Sequence, residues 1–244
     1  MADANNDAGR GGAVFLASII IGVALVVCTL LVSNTLVKVK GFGQTISVTG
    51  AAYKPITSDF GIWQATVTAT ATTLEAAYRE VHRSMAVTEE FLQQRGFAAD
   101  QYEIGSVQIM RDYNGDGEVI GFRLMQEVKI ELPDVKRISR LAKEVSSLIE
   151  QGVEINSYQP QYLFTGLDSL KLEMIKAATE NATARAEQLA ETTGRKVGAP
   201  TSARVGVFQI RPLHSQEVSS MGMSDVYSID KEIVSTVHVS FLFE

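Results

Sequence analysis

Asp112, Asn114, Asp116 and Gly117 fall in the run Asp-x-Asn-x-Asp-Gly. That spacing lets a turn aim alternate side-chain oxygens at one point, and it forms the first half of a twelve-residue calcium loop. The second half departs from the pattern. The twelfth position, where a bidentate glutamate would complete the shell, is Arg123, a cation. The flanking residues alternate as strands rather than repeating as helices. The run is therefore read as a polar hairpin turn, with calcium binding as the rival reading.

A second set of candidate ligands is softer. Leu213 to Lys231 is a serine-rich stretch of 19 residues that holds His214, Met221 and Met223. Thioether and imidazole groups suit Cu(I), and structureless loops above ~12–15 residues are often functional or mobile. An interaction arm or a mobile loop is the other reading of 213–231. The remaining histidines, His82 and His238, have no partner at a metal-ligand spacing. The single cysteine, Cys28, excludes an intramolecular disulfide and a Cys-based zinc site. No Gly-x-Ser-x-Gly elbow, phosphate-binding loop or dinucleotide fingerprint occurs, and Gly41-Phe42-Gly43 lacks a following helix. Glu89-Glu90 reads as a solvated pair on a helix, and the sequon Asn181-Ala182-Thr183 falls inside one. No catalytic residue, cofactor-binding residue or metal ligand is assigned, no cofactor is implied, and the expectation is a protein that is not an enzyme.

The elements that would position these residues begin after an apolar run. From Gly11 to Val37 there is no charged residue. The stretch from Ala13 to Val32 would span ~30 Å as a helix, the thickness of a bilayer's hydrocarbon core. It exceeds a signal-peptide core, and no small-residue cleavage site follows. The chain is read as a tail (1–12), a retained transmembrane anchor (13–37), a linker (38–45) and a domain (46–244). Charges flanking the span leave the orientation open. The net charge of −6 argues against nucleic acid as a partner, and an apolar fraction of 45% argues against disorder.

Within the domain, Ile46-Ser47-Val48-Thr49 reads as a strand and residues 50–59, with Pro55, as a turn region. Trp63, Ala65, Val67, Ala69 and Ala71 alternate with Gln64, Thr66, Thr68 and Thr70 in a half-buried strand. Thr72-x-x-Glu75 fits a capping box. Leu74, Tyr78, Val81, Met85 and Leu92 follow at helical spacing, to a stop at Gly96. Glu103 to Met110 and Val119 to Leu132 form a predicted hairpin around the Asp112 turn. A helix opens at Pro133-Asp134, buries Val135, Ile138, Leu141, Val145, Leu148 and Ile149, and closes at Gly152. Val153 to Phe164 is extended, an alanine-rich helix runs from Asp168 to Thr193, and Arg204–Ile210 and Ile233–Phe243 are the last strands. The order ββ-α-ββ-α-β-α-ββ indicates an α+β fold, a mostly antiparallel sheet covered by helices.

Several of these segments together resemble the SIMPL domain family of bacterial periplasmic proteins. They are Ile46-Ser47-Val48-Thr49-Gly50, the Thr-Leu-Glu-Ala-Ala helix start, and the Asp-Tyr-Asn-Gly hairpin followed by Gly121-Phe122-Arg123. The alanine-rich helix, Gly194-Arg195-Lys196-Val197-Gly198 and the alternating final strand complete the set. The resemblance covers Thr45 to Glu244. It implies a periplasmic α+β domain, no established catalysis, ring-like self-assembly in some members, and a link to oxidative-stress defence and envelope integrity. The retained anchor departs from relatives that carry a cleaved signal.

The resulting expectation is a single-pass inner-membrane protein with its C-terminal domain in the periplasm. Its partners would be further copies of itself, in a homo-oligomer, and the bilayer through residues 13–37. The alternative is a metal- or small-ligand-binding stress protein using the 213–231 loop or the Asp112 turn. Assembly is expected to use the final strand, Glu232 to Phe243, which has few charges and no proline and would be poorly protected at a sheet edge.

Overall fold

The computed structural model describes residues 21–23, 25–33, 45–217 and 219–243. Its elements are β1 (Thr45–Thr57), β2 (Phe60–Ala71), α1 (Leu74–Gln94), β3 (Tyr102–Ile104), β4 (Gln108–Tyr113) and β5 (Val119–Leu132). They continue with α2 (Val135–Glu144), α3 (Ser147–Glu150), β6 (Glu154–Ser157), β7 (Gln161–Leu163) and α4 (Leu167–Thr192). The last are β8 (Val197–Val205), β9 (Gln209–Pro212), β10 (Met223–Ser224) and β11 (Asp230–Phe243). The fold is α+β, with mainly antiparallel sheets and few helices. Residues 21–23 and 25–33 are helical and exposed, and among the described residues no helix is long and apolar enough to cross a membrane. Much of the expected 13–37 anchor, all of the 1–12 tail, most of the 38–45 linker and Gly41-Phe42-Gly43 lie outside the described residues.

The chain divides into two compact units. One takes residues 51–181 and 205–237, the other residues 1–50, 182–204 and 238–244. The first holds a six-stranded sheet in the order β3-β5-β2-β6, with β4 also on β5 and β7 also on β2. The alternation of β2 decides how this sheet packs. Trp63, Ala65 and Val67 are fully buried and Ala69 nearly so, while Thr66 and Thr68 on the opposite face stay half-exposed. The helices lie on the apolar face, and α1 packs on β2 and β5. Val81, Met85 and Leu92 of α1 and Ile138 and Leu141 of α2 join Leu124, Val128 and Ile130 of β5 in one core. Each such side chain contributes roughly 1.5–3 kcal/mol of burial. Gly61 permits the approach of α2, since a Cβ there would stand 3.0 Å from Ile138 Cγ1. The Trp63 indole N–H, buried with its ring, donates to Ser157 Oγ at 2.9 Å.

The second unit buries Ile46 and Val48 of β1, Val239 and Phe241 of β11, and Ala182, Ala186 and Ala190 of α4. Alanines every four residues fall on one helix face and let the backbone come close to its neighbour. Arg185 Nη1 donates to the Thr49 carbonyl at 2.9 Å, fastening that face to β1.

Several expectations are corrected. Residues 50–57 are not a turn: β1 continues through them, burying Gly50, Ala52 and Ile56 on the face of Ile46 and Val48. Pro55 is tolerated because β1 is the terminal strand of its sheet, where a missing N–H costs no ladder bond. The helix cap is Thr73, not Thr72, and its hydroxyl accepts from Ala76 N at 3.2 Å. Leu74 and Tyr78 lie off the buried stripe, which runs through Ala77 instead, because a small residue lets the helix sit closer to the sheet. The expected 103–110 strand breaks at residues 105–107 into β3 and β4. The helix after Asp134 splits into α2 and α3, and Ile149 is exposed. The expected strand at 204–210 is β8 and β9 with a break that begins at Gly206, where a Cβ would clash with Thr236 Oγ1.

Candidate functional site

The Asp112 turn closes on itself. Asn114 Oδ1 accepts from the backbone N–H groups of Asp116 (3.1 Å) and Glu118 (2.8 Å), and Asn114 N donates to the Glu118 carbonyl at 2.9 Å. Gly117 takes φ +82°, which explains a glycine at that place. Asp112 faces across the hairpin, where Arg123 Nη2 reaches its carboxylate at 3.4 Å. Asn114 is thus engaged by amides and Asp112 by a guanidinium, while the Asp116 carboxylate has no hydrogen-bond or ion-pair partner among the described residues. Arg123, the residue that breaks the calcium pattern, is the partner of its first position.

The 213–231 stretch is neither free nor structureless. Gln209 holds Ser219 at both ends of its amide, Nε2 to the Ser219 carbonyl at 2.6 Å and Oε1 from Ser219 N at 3.3 Å. Arg211 Nη1 donates to the Glu217 carbonyl at 3.4 Å. Met223 and Ser224 form β10, parallel to β9, and Asp225 N donates to the Ile210 carbonyl at 2.8 Å. Farther along, Tyr162 N donates to Val226 O (2.6 Å) and Ser58 N to Ile229 O (2.8 Å). The candidate ligands His214 and Met221 are both exposed, Met221 to 91%, while Met223 is half-buried in β10.

Beneath the stretch lies a polar cluster that sequence reasoning missed. Lys231 is 2% exposed, and its ammonium donates to the carbonyls of Tyr162 (2.5 Å) and Asp225 (2.6 Å). Burial pushes the Lys231 pKa down, only partly opposed by the charge of Asp225. Burial would raise Asp225, but hydrogen bonds from the Ser228 side chain and the Tyr227 and Ser228 amides, with the Lys231 charge, hold it below the usual carboxylate range. Asp225 Oδ2 is buried without a hydrogen-bond partner among the described residues. Next to it, Arg211 pairs with Glu232 at 2.8 Å, both largely buried. The signal was present: Lys231 takes an inward position in the alternation that continues through Ile233 and Val237.

The other candidates separate. His82 is exposed beside Tyr78, ring centroids 5.9 Å apart. His238 Nδ1 lies 2.8 Å from Thr49 Oγ1, and Ser47 Oγ 2.8 Å from Ser240 Oγ, on a small polar sheet face. A hydroxyl–imidazole pair is the start of a nucleophile and base. Among the described residues no carboxylate hydrogen-bonds to that ring, so the pair is a cross-strand contact. Asn181 Oδ1 accepts from Ala51 N at 3.1 Å, which gives the sequon asparagine a structural task. Cys28 is exposed on the helical stretch near the N-terminus.

The final strand does not form a sheet edge. The final strand, β11, is interior, with β1 on one side and β9 and β8 on the other. In the six-stranded sheet, β4 pairs only with β5. Ile109 and Met110 on β4 are exposed to 54% and 49%, and Tyr113, Val119 and Ile120 add further exposed apolar surface to the same hairpin.

A family model described as SIMPL, protein of unknown function (DUF541), matches residues 46–241. Comparison with curated proteins finds no match.

Proposed function

The chain belongs to the SIMPL family, and from that premise we propose a membrane-anchored, non-enzymatic periplasmic module that self-assembles into a homo-oligomer. Its role in this reading is envelope integrity or oxidative-stress defence. The observation that carries the assembly is the β4 edge. An exposed strand edge with apolar side chains is a template for another strand. Two β4 strands of two copies, set antiparallel about a two-fold axis, would join two sheets edge to edge and bring the exposed Ile109 and Met110 of each copy together. Such a contact is isologous, and it would cover apolar side chains that the single chain leaves exposed.

The anchor rests on the apolar run 13–37, which would orient all copies alike in the inner membrane. The non-enzymatic reading is supported by the engagement of the reactive-type side chains: Asp112 with Arg123, Asn114 with turn amides, His238 with Thr49. The stress and envelope role follows from the resemblance, and loss of peroxide or detergent resistance in a deletion strain tests it.

The mass of the detergent-solubilised full chain tests assembly. An oligomer is expected, reduced in size by Ile109→Lys combined with Met110→Lys, which puts charge on the apolar strand edge. A wild-type monomer at micromolar concentration would overturn the assembly. An oligomer untouched by the double variant would remove β4 from the interface.

A further inference from the structure

Helix α2 places Lys136, Arg137 and Arg140 in its first two turns, and Arg95 at the end of α1 joins them around a cleft of about 520 Å³. Asp134, Glu144, Phe97 and Leu141 complete its wall. Two of the four cations are fixed. The Arg95 guanidinium lies over the Phe91 ring, 3.5 Å from its centroid, and bonds Glu144 at 2.7 Å. The Arg137 guanidinium lies over Phe97 at 4.0 Å and donates to the Gly96 carbonyl and to Gln101 Oε1. Both rings are 2% exposed, so they form rigid platforms.

The other two cations have no such role. Lys136 and Arg140 are exposed and, among the described residues, have neither a hydrogen-bond nor an ion-pair partner. They stand four apart on one helix, a spacing at which like charges repel. Asp134 does not neutralise them by pairing, because its carboxylate caps the helix, accepting from Arg137 N at 3.0 Å. In a chain of net charge −6, one cleft therefore gathers four cations against two carboxylates, and neither carboxylate is paired with Lys136 or Arg140. Folding gains no ion pair or hydrogen bond from Lys136 and Arg140 among the described residues.

We propose that the cleft binds a phosphate ester, carried by a small molecule or by a lipid headgroup. Guanidinium forks match the oxygens of a tetrahedral oxyanion, and stacking keeps them oriented before the ligand arrives. A phosphate offers several anionic oxygens to several cations, where a lone carboxylate would engage one fork. Lys136 and Arg140 supply the charge that Arg95 and Arg137 have partly spent on Glu144, Gly96 and Gln101.

The test uses the full chain in neutral detergent, titrated calorimetrically with inorganic phosphate and with dihexanoyl phosphatidylglycerol. Lys136→Gln with Arg140→Gln is compared with Lys143→Gln with Lys176→Gln, which removes equal charge outside the cleft. Both pairs are on exposed positions, and an unchanged melting temperature checks that each folds. Binding should weaken at least tenfold in the cleft pair and stay within twofold in the other. Tighter phosphatidylglycerol identifies a lipid headgroup as the source; equal or tighter phosphate identifies a soluble ester. Absence of binding to the parent by both compounds, or equal weakening in both pairs, would overturn the site.

Discussion

The turn at 114–118 and the stretch at 213–231 look alike as sequences, both polar and containing glycine, and they are held by different means. The short turn is closed by its own residues: Asn114 satisfies the amides of Asp116 and Glu118. The long stretch is closed from elsewhere. Gln209, Arg211 and Lys231 fasten it from β9 and β11, and Ser58 and Tyr162 from the segment after β1 and from β7. A turn made of local bonds survives changes in its surroundings. A segment made of distant ones depends on the core that supplies them, so a single buried cation can release it.

The largest expected effect comes from Arg211→Met. It leaves the Glu232 carboxylate largely buried and without its partner, which costs about 3–5 kcal/mol. Urea unfolding of the variant should show that loss, together with proteolysis inside 213–231. A loss below about 1 kcal/mol would mean that the pair does not hold the stretch.

Lys231→Met keeps most of the length of the side chain and removes the donors to Tyr162 and Asp225. Leaving those two carbonyls unsatisfied costs about 1–3 kcal/mol. Amide exchange should speed up at Val226 to Ile229 and stay unchanged at 114–118. Asn114→Ala should do the reverse. It removes side-chain bonds in an exposed turn, costs about 1 kcal/mol, and raises exchange at Asp116 and Glu118 alone. If either variant loosened both regions, the contrast between local and distant closure would fail.

The smallest effect is on pH. Lys231 has its pKa lowered from the ordinary 10.5, so between the lowered value and 10.5 the unfolded chain binds more protons than the folded one. Stability therefore rises with pH through that alkaline window, and the rise should vanish in Lys231→Met. Asp225 acts at the other end. Its pKa is lowered from 3.8, so its contribution is present above 3.8 and is lost as pH falls through the lowered value. Denaturant midpoints across pH, parent against variant, measure both.

Sequence alone determined the α+β class, the β2 alternation, the β4–β5 hairpin, the alanine-rich helix and the family. Each is written in a short-range pattern: period two in Trp63, Ala65 and Val67, a fourfold spacing of alanines, and turn chemistry in Asn114 and Gly117. Even so, β1 was cut short, because Pro55 reads locally as a break and only the sheet decides that β1 is its terminal strand. The tertiary structure alone decided that β11 is interior and β4 is open, since strand neighbours are chosen between residues far apart in the chain. It also decided the role of Lys231. A lysine in an alternating strand is costly to bury unless acceptors wait for it, and those acceptors, on Tyr162 and Asp225, are brought there by the fold.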